Sequence, residues 1–215
     1  MPSKMKRNAA WIIAGLVAAT GLASIALFST GRLADVFYST GRPLEEPMEI
    51  SADRWIGTPN APNEVVVFMS LTCDYCAEFL HGTVRSLLDR EVAEGTVRLT
   101  ILHFVDVRNI PGFMGARFAE HARFMGDDVF LDFIEDHTTS SLVSDSLGFV
   151  EWFDQRGLVL EKPDSSVRNQ IGLDNGLGLY IGLRGVPSVV VNGRLYAGNR
   201  PPWVVRQHLR RRPVF

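Results

Sequence analysis

The chain is poor in cysteine. It has two in 215 residues, and they stand together as Cys73-Asp74-Tyr75-Cys76. A framework of several disulfides is thereby excluded. A four-ligand zinc site is not offered either, because two sulfurs are too few and the histidines (His81, His103, His121, His137, His208) repeat no ligand spacing. Excess positive charge is also lacking. The formal net charge is −2, and Lys4, Lys6 and Arg7 crowd into the first seven residues, so the remainder is more acidic still. Such a chain has no electrostatic footprint for nucleic acid. The one later basic cluster, Arg210-Arg211-Arg212, reads as a solvated helix end that complements the helix dipole. Internal repeats and low-complexity segments are absent. The glycines of Gly176 to Gly182 have the wrong spacing for a dinucleotide fingerprint and follow no strand, so close packing of a helix against a sheet explains them better.

Hydrophobic residues make up 46% of the chain, enough for one tether and one domain with a real core. Residues 1–8 carry the basic cluster, and the run from Ala9 to Phe28 has no charge. About 20 residues at about 1.5 Å each span a bilayer core of about 30 Å. Residues 9–30 are therefore expected to be a transmembrane anchor, with a cleaved signal sequence as the competitor. Basic residues before the run stay in the cytoplasm. Either way, the domain is expected on the extracytoplasmic, periplasmic side of the cell membrane. Residues 31–48 contain Gly31, Gly41, Pro43 and Glu45-Glu46 and read as a linker, with the domain over 49–215.

Within the domain, Val65 to Met69 is a short apolar run after turn residues and reads as a buried strand. Trp55 and Ile56 suit a short edge strand or packing on the domain. After Cys76 the apolar positions Phe79, Leu80, Val84, Leu87, Leu88 and Val92 follow a helical stripe that Gly95 ends. Val97 to Val105 is a second strand. Strand, helix and strand make a parallel, right-handed unit. From about 110 to 183 the pattern turns helical, with Phe113, Phe118, Phe124, Phe130 and Phe133 expected in its core. Ser188 to Val191, Asn192-Gly193 and Arg194 to Ala197 form a hairpin, because Asn-Gly suits a turn that needs positive φ twice. Pro201-Pro202 opens a last helix.

The cysteine pair is a staple, half of a metal site, or a redox pair. A four-residue loop restrains the unfolded chain little, which weakens the staple. Position favours redox chemistry. The pair follows a strand and opens a helix, where free N–H groups and the positive dipole end favour a thiolate. Cys73 is expected to be the attacking sulfur. Cys76, one turn further in, resolves the mixed disulfide.

A strand–CxxC–helix unit, followed by Gly185-Val186-Pro187-Ser188 ahead of a hairpin and a final helix, resembles the thioredoxin superfamily. The helices inserted after the second strand are similar to the DsbA-like branch. The resemblance covers about Glu49 to Arg211. It implies an α/β thioredoxin-like fold with a helical insertion, a cis Pro187, and a Val186 whose backbone receives an extended substrate. It implies a thiol–disulfide oxidoreductase whose only redox group is the Cys73–Cys76 disulfide. Its clients would be exported protein thiols, and a membrane redox partner would recycle it. A dithiol oxidase is expected first; a reductase, or a chaperone-like or metal-carrying protein, is the alternative. Two departures stand out. Relatives carry a buried acid in the strand before the CxxC, whereas here only Glu64 lies at its edge. Strong oxidases have Pro-His between the cysteines, whereas here Asp74 and Tyr75 tune the pair. At about 6 Å and an effective dielectric of about 40, Asp74 repels a Cys73 thiolate by roughly 1.4 kcal/mol.

Overall fold

The computed structural model describes residues 41–138, 146–160 and 164–209. The expected anchor over 9–30, residues 1–8 and the basic cluster at 210–212 lie outside the described residues. Among the described residues no helix is long and apolar enough to cross a membrane.

The expected parallel unit is present. Strand β2 (Asn63–Met69) pairs in parallel with β3 (Val97–His103), from Asn63 opposite Val97 to Met69 opposite His103. A helix over 74–92 (α1) crosses between them. It begins α-helical at Asp74–Phe79 and contains two π-helical stretches, Leu80–Val84 and Leu88–Val92, that the apolar spacing did not reveal. Gly95 adopts φ 71° as the chain leaves it, a conformation open to glycine at little cost. The hairpin β4 (Ser188–Val191) and β5 (Arg194–Ala197) lies where its turn chemistry placed it. Asn192 and Gly193 take φ 48° and 78°. Strand β4 pairs antiparallel with β2, and the sheet order is β1-β5-β4-β2-β3.

Strand β1 (Arg42–Pro43) corrects the linker reading. It pairs antiparallel with β5, Leu44 is buried, and the Leu44 N–H donates to the Gly193 carbonyl at 2.9 Å. Arg42 reaches the carbonyl of Ile181, and Tyr180 Oη donates to Glu46 at 2.6 Å. The domain therefore begins by Arg42, not at 49. A polar composition hid the strand because an edge strand needs few apolar residues, and proline is tolerated only at such an edge. Ile56 forms an antiparallel bridge with Leu99 at the far edge, and the Arg98 guanidinium lies over the Trp55 ring.

Alternation along β2 builds two cores. Val65, Val67 and Met69 pack with Phe79, Leu80, Val84 and Leu87 of α1, while Val66 and Phe68 face Leu102, Ile181 and Leu183. The insertion comprises α2 (Ile110–Met125), α3 (Asp127–His137), α4 (Ser146–Gln155) and α5 (Asp164–Tyr180). Phe118, Phe133, Phe149 and Phe153 form its aromatic centre, with ring centroids 5.1–6.1 Å apart. Each such ring contributes about 1.5–3 kcal/mol by leaving water. Phe124 departs from the expected core and is exposed. Gly178 explains part of the glycine run: a Cβ there would lie 2.6 Å from Phe104, whereas one at Gly176 would meet nothing. The last helix, α6, is Pro202–Leu209.

Candidate active site

Strand β2 ends at Met69, and the chain turns through Ser70 to Cys73, whose N–H donates to the Ser70 carbonyl. Cys73 is the N-cap of α1, with its own carbonyl accepting from the N–H groups of Cys76 and Ala77 at 2.9 and 3.0 Å. The carbonyl is thus occupied by the helix while the side chain stays at its mouth. Both cysteines are free thiols; Cys73 is half-buried and Cys76 buried. The two side chains are in hydrogen-bond contact. Burial first, and then that bond, push the Cys76 thiol far above the ordinary range, against a lowering contact from the Ser70 backbone. Cys76 is therefore a protonated, shielded sulfur, and Cys73 is the more accessible of the two.

The late proline stands opposite. The Val186–Pro187 peptide is cis, as the resemblance implied, and Cys73 Sγ lies 3.7 Å from the Val186 carbonyl. Ser188 Oγ donates to the Gly185 carbonyl and Gly198 N–H to the Pro187 carbonyl, which holds this loop on both sides. Four of the sequence-selected residues, Cys73, Cys76, Val186 and Pro187, thus meet at one end of the sheet. Asp74 and Tyr75 are exposed, on the solvent side of the first turn of α1. Val107, on the loop that leads into α2, and Ile110, the first residue of α2, are exposed as well. Glu64 is at the opposite end of β2, paired with Arg98. Six residues at about 3.3 Å separate it from Ser70, roughly 20 Å, too far to exchange a proton with Cys76.

A buried acid does exist, on another element. Glu120 of α2 is 1% exposed and accepts from Arg54 Nη1 at 2.9 Å and from Arg123 Nε at 3.2 Å. His103 Nε2 lies 3.1 Å away. Asp174 of α5 accepts from Arg54 Nη2 at 2.9 Å and from the His103 N–H at 3.0 Å. Burial alone would raise the Glu120 carboxyl, but Arg123, His103 and Arg54 outweigh it and hold the carboxyl well below the usual range. Sequence reasoning missed this cluster, because its members are separated by up to 120 residues and none repeats a spacing. Among the described residues no group of three or more His, Cys, Asp or Glu has metal-holding geometry.

The solved structures most like this one share the arrangement of its elements. Alpha-DsbA1 of Wolbachia pipientis superposes with TM-score 0.63 at 16% identity, covering 75% of this chain and 93% of its own. Oxidised BdbD of Bacillus subtilis gives TM-score 0.63 at 15% identity, with coverage of 81% and 99%. A periplasmic thioredoxin-like protein of Salmonella enterica serovar Typhimurium gives 0.60 at 18%, with 75% and 99%. At such identities the likeness is one of fold. No curated protein matches the sequence. The family model described as Thioredoxin matches residues 49–209, three quarters of the chain. The chain therefore belongs to the thioredoxin family, and its fold is that of the DsbA-like proteins.

Proposed function

We propose that this protein is a thiol–disulfide oxidoreductase that oxidises pairs of thiols in exported proteins, with Cys73 as the exchanging sulfur. One observation carries the reading: a reachable sulfur at a helix N-terminus faces the Val186 carbonyl, with a second, protonated sulfur behind it. In the disulfide form, a client thiolate attacks Cys73, the Cys73–Cys76 bond breaks, and Cys76 leaves and takes up a proton. A second client thiolate then attacks the client sulfur of the mixed disulfide and expels Cys73. The client loses two electrons and the pair gains them. No cofactor is needed beyond this disulfide. The Val186 backbone lies where an extended client segment pairs with it. Recycling requires an external electron acceptor, assigned here to a membrane redox partner.

The first test is oxidation of a reduced, unfolded model protein, together with the equilibrium with glutathione. A potential above that of the glutathione couple supports oxidation. Asp74 bears on the direction, since its carboxylate sits on the first turn beside Cys73 and opposes a thiolate; a potential well below glutathione would make the protein a reductase. Solvent screens an exposed charge, so the full Coulomb estimate does not apply. Asp74→Ala is expected to make the disulfide more oxidising by about two- to fivefold in the glutathione equilibrium constant. An unchanged constant would remove Asp74 from the tuning of the pair.

The uncharged run Ala9 to Phe28 after Lys4, Lys6 and Arg7 supports an anchored domain on the outer face of the cell membrane. The periplasmic relative from Salmonella is in keeping with that location. Protease added to cells stripped of any outer layer is expected to digest the domain. Complete protection there would place it in the cytoplasm.

A further inference from the structure

The turn that carries Cys73 rests on the helical insertion as well as on the sheet. Asn109 caps α2, its Oδ1 accepting from the Gly112 N–H at 3.2 Å. Only an oxygen can accept there, which assigns the other end of the amide as nitrogen. That Nδ2 donates to Thr72 Oγ1 at 3.0 Å, and Thr72 Oγ1 shares a hydrogen bond of 3.2 Å with Ser70 Oγ. Thr72 adjoins Cys73, and the Ser70 backbone contacts the Cys76 thiol. Two glycines permit the approach. A Cβ on Gly112 would lie 3.0 Å from Thr72 Oγ1 and 2.9 Å from Asn109 Nδ2, and one on Gly115 would lie 3.3 Å from Leu71 Cδ2. Leu71 is itself buried. Every residue of the turn from Ser70 to Thr72 is therefore held by the first turns of α2 or by a neighbour so held.

We propose that Asn109 is a positioning residue for the redox pair: through Thr72 it fixes the Ser70–Cys73 turn and so holds Cys73 at the N-cap position of α1, with its sulfur facing the Val186 carbonyl. The inference rests on the reading of Cys73 and Cys76 as an exchanging pair. Asn109 touches neither sulfur. It acts by keeping Cys73 where the free N–H groups of α1 favour the thiolate. In the thiolate form this support is needed most, so losing it makes the dithiol less stable and the disulfide less oxidising.

Thr72→Val tests this without touching the cap of α2, because the Asn109–Gly112 bond remains. A hydrogen bond of ordinary net strength corresponds to roughly a three- to tenfold change in an equilibrium constant. The glutathione equilibrium constant of Thr72→Val is expected to shift by that factor toward the disulfide, and iodoacetamide labelling of Cys73 at neutral pH to slow. Asn109→Ala also removes the cap of α2, so it should shift the constant in the same direction by at least as much, and the double variant should shift it by less than the sum of the two, because the Asn109–Thr72 bond is lost in both. Thr72→Ser restores the hydroxyl and should restore the wild-type constant. A Thr72→Val protein with the wild-type constant and labelling profile would overturn the proposal whatever its melting temperature, and so would additive single effects. A wild-type protein that is neither labelled at Cys73 nor able to cycle its disulfide sinks the exchange reading itself, and that result appears before any variant is compared.

Discussion

In a Cys76→Ala variant, covalent adducts with client proteins are expected to accumulate on Cys73; in Cys73→Ala they are not. Cys73 is at the mouth of α1, half-buried, with its sulfur 3.7 Å from the Val186 carbonyl. A mixed disulfide formed there is released either by a second client thiol or, from within, by the sulfur of Cys76, so removing Cys76 strands the adduct wherever the client offers no second thiol. The converse variant retains a thiol that is 1% exposed and that burial keeps protonated. Since the thiolate is the nucleophile, its alkylation at neutral pH is expected to be slower than that of Cys73 by about two orders of magnitude or more. Non-reducing gels of the two variants, with iodoacetamide labelling rates, decide the matter. More adducts from Cys73→Ala would reverse the two roles. Adducts from neither variant would favour a passive pair.

Glu120→Ala is expected to be strongly destabilising. It would leave the Arg54 and Arg123 guanidinium groups, both with side chains 6% exposed, facing each other without the carboxylate between them. Removing one partner of a buried ion pair costs about 3–5 kcal/mol, which for a domain of this size lowers the melting temperature by on the order of 10 °C. Glu120→Gln keeps the shape and loses the charge. Comparing it with the wild type across pH isolates the carboxylate. Glu120 binds its proton less tightly folded than unfolded. Its stabilisation is therefore complete above the unfolded value of about 4.3 and is lost as pH falls from there toward the lower folded value. The difference between wild type and Glu120→Gln in chemical denaturation should be largest near neutral pH and shrink in acid. A difference that does not vary with pH would mean that packing, not charge, is what Glu120 supplies.

This cluster also bears on the acid missing from β2. His103 is the last residue of β3, directly opposite Met69, and its neighbour Glu120 is the buried carboxylate at the active-site end of the sheet. Glu120 lies on the insertion, and Arg54 links it to Asp174, which accepts from the backbone N–H of His103 in β3. Charge and packing together bind α2 and α5 to β3, and the N-cap of the same α2, Asn109, donates to Thr72 beside Cys73.

The amino-acid sequence by itself determined what depends on neighbours along the chain. The hairpin at Asn192-Gly193 was legible because two positive φ angles in succession select those residues. The strand of Val65 to Met69, the helix that begins after Cys73 and the helical character of the insertion were legible because an apolar period is local. The pairing of Cys73 with Cys76 was legible because both sulfurs lie within one helical turn. Pro187 was legible by resemblance, and only folding brought its loop to Cys73, 113 residues away along the chain from Val186. The tertiary structure alone decided the rest. Strand β1 was hidden because an edge strand takes its hydrogen bonds from β5 and needs little apolar surface of its own. The bond of Asn109 to Thr72 spans 37 positions, and that of Arg54 to Asp174 spans 120. Polar side chains leave no periodic trace in a sequence. A buried charge becomes tolerable only when the fold delivers its partner, so no count of residues along the chain could have shown which charges meet.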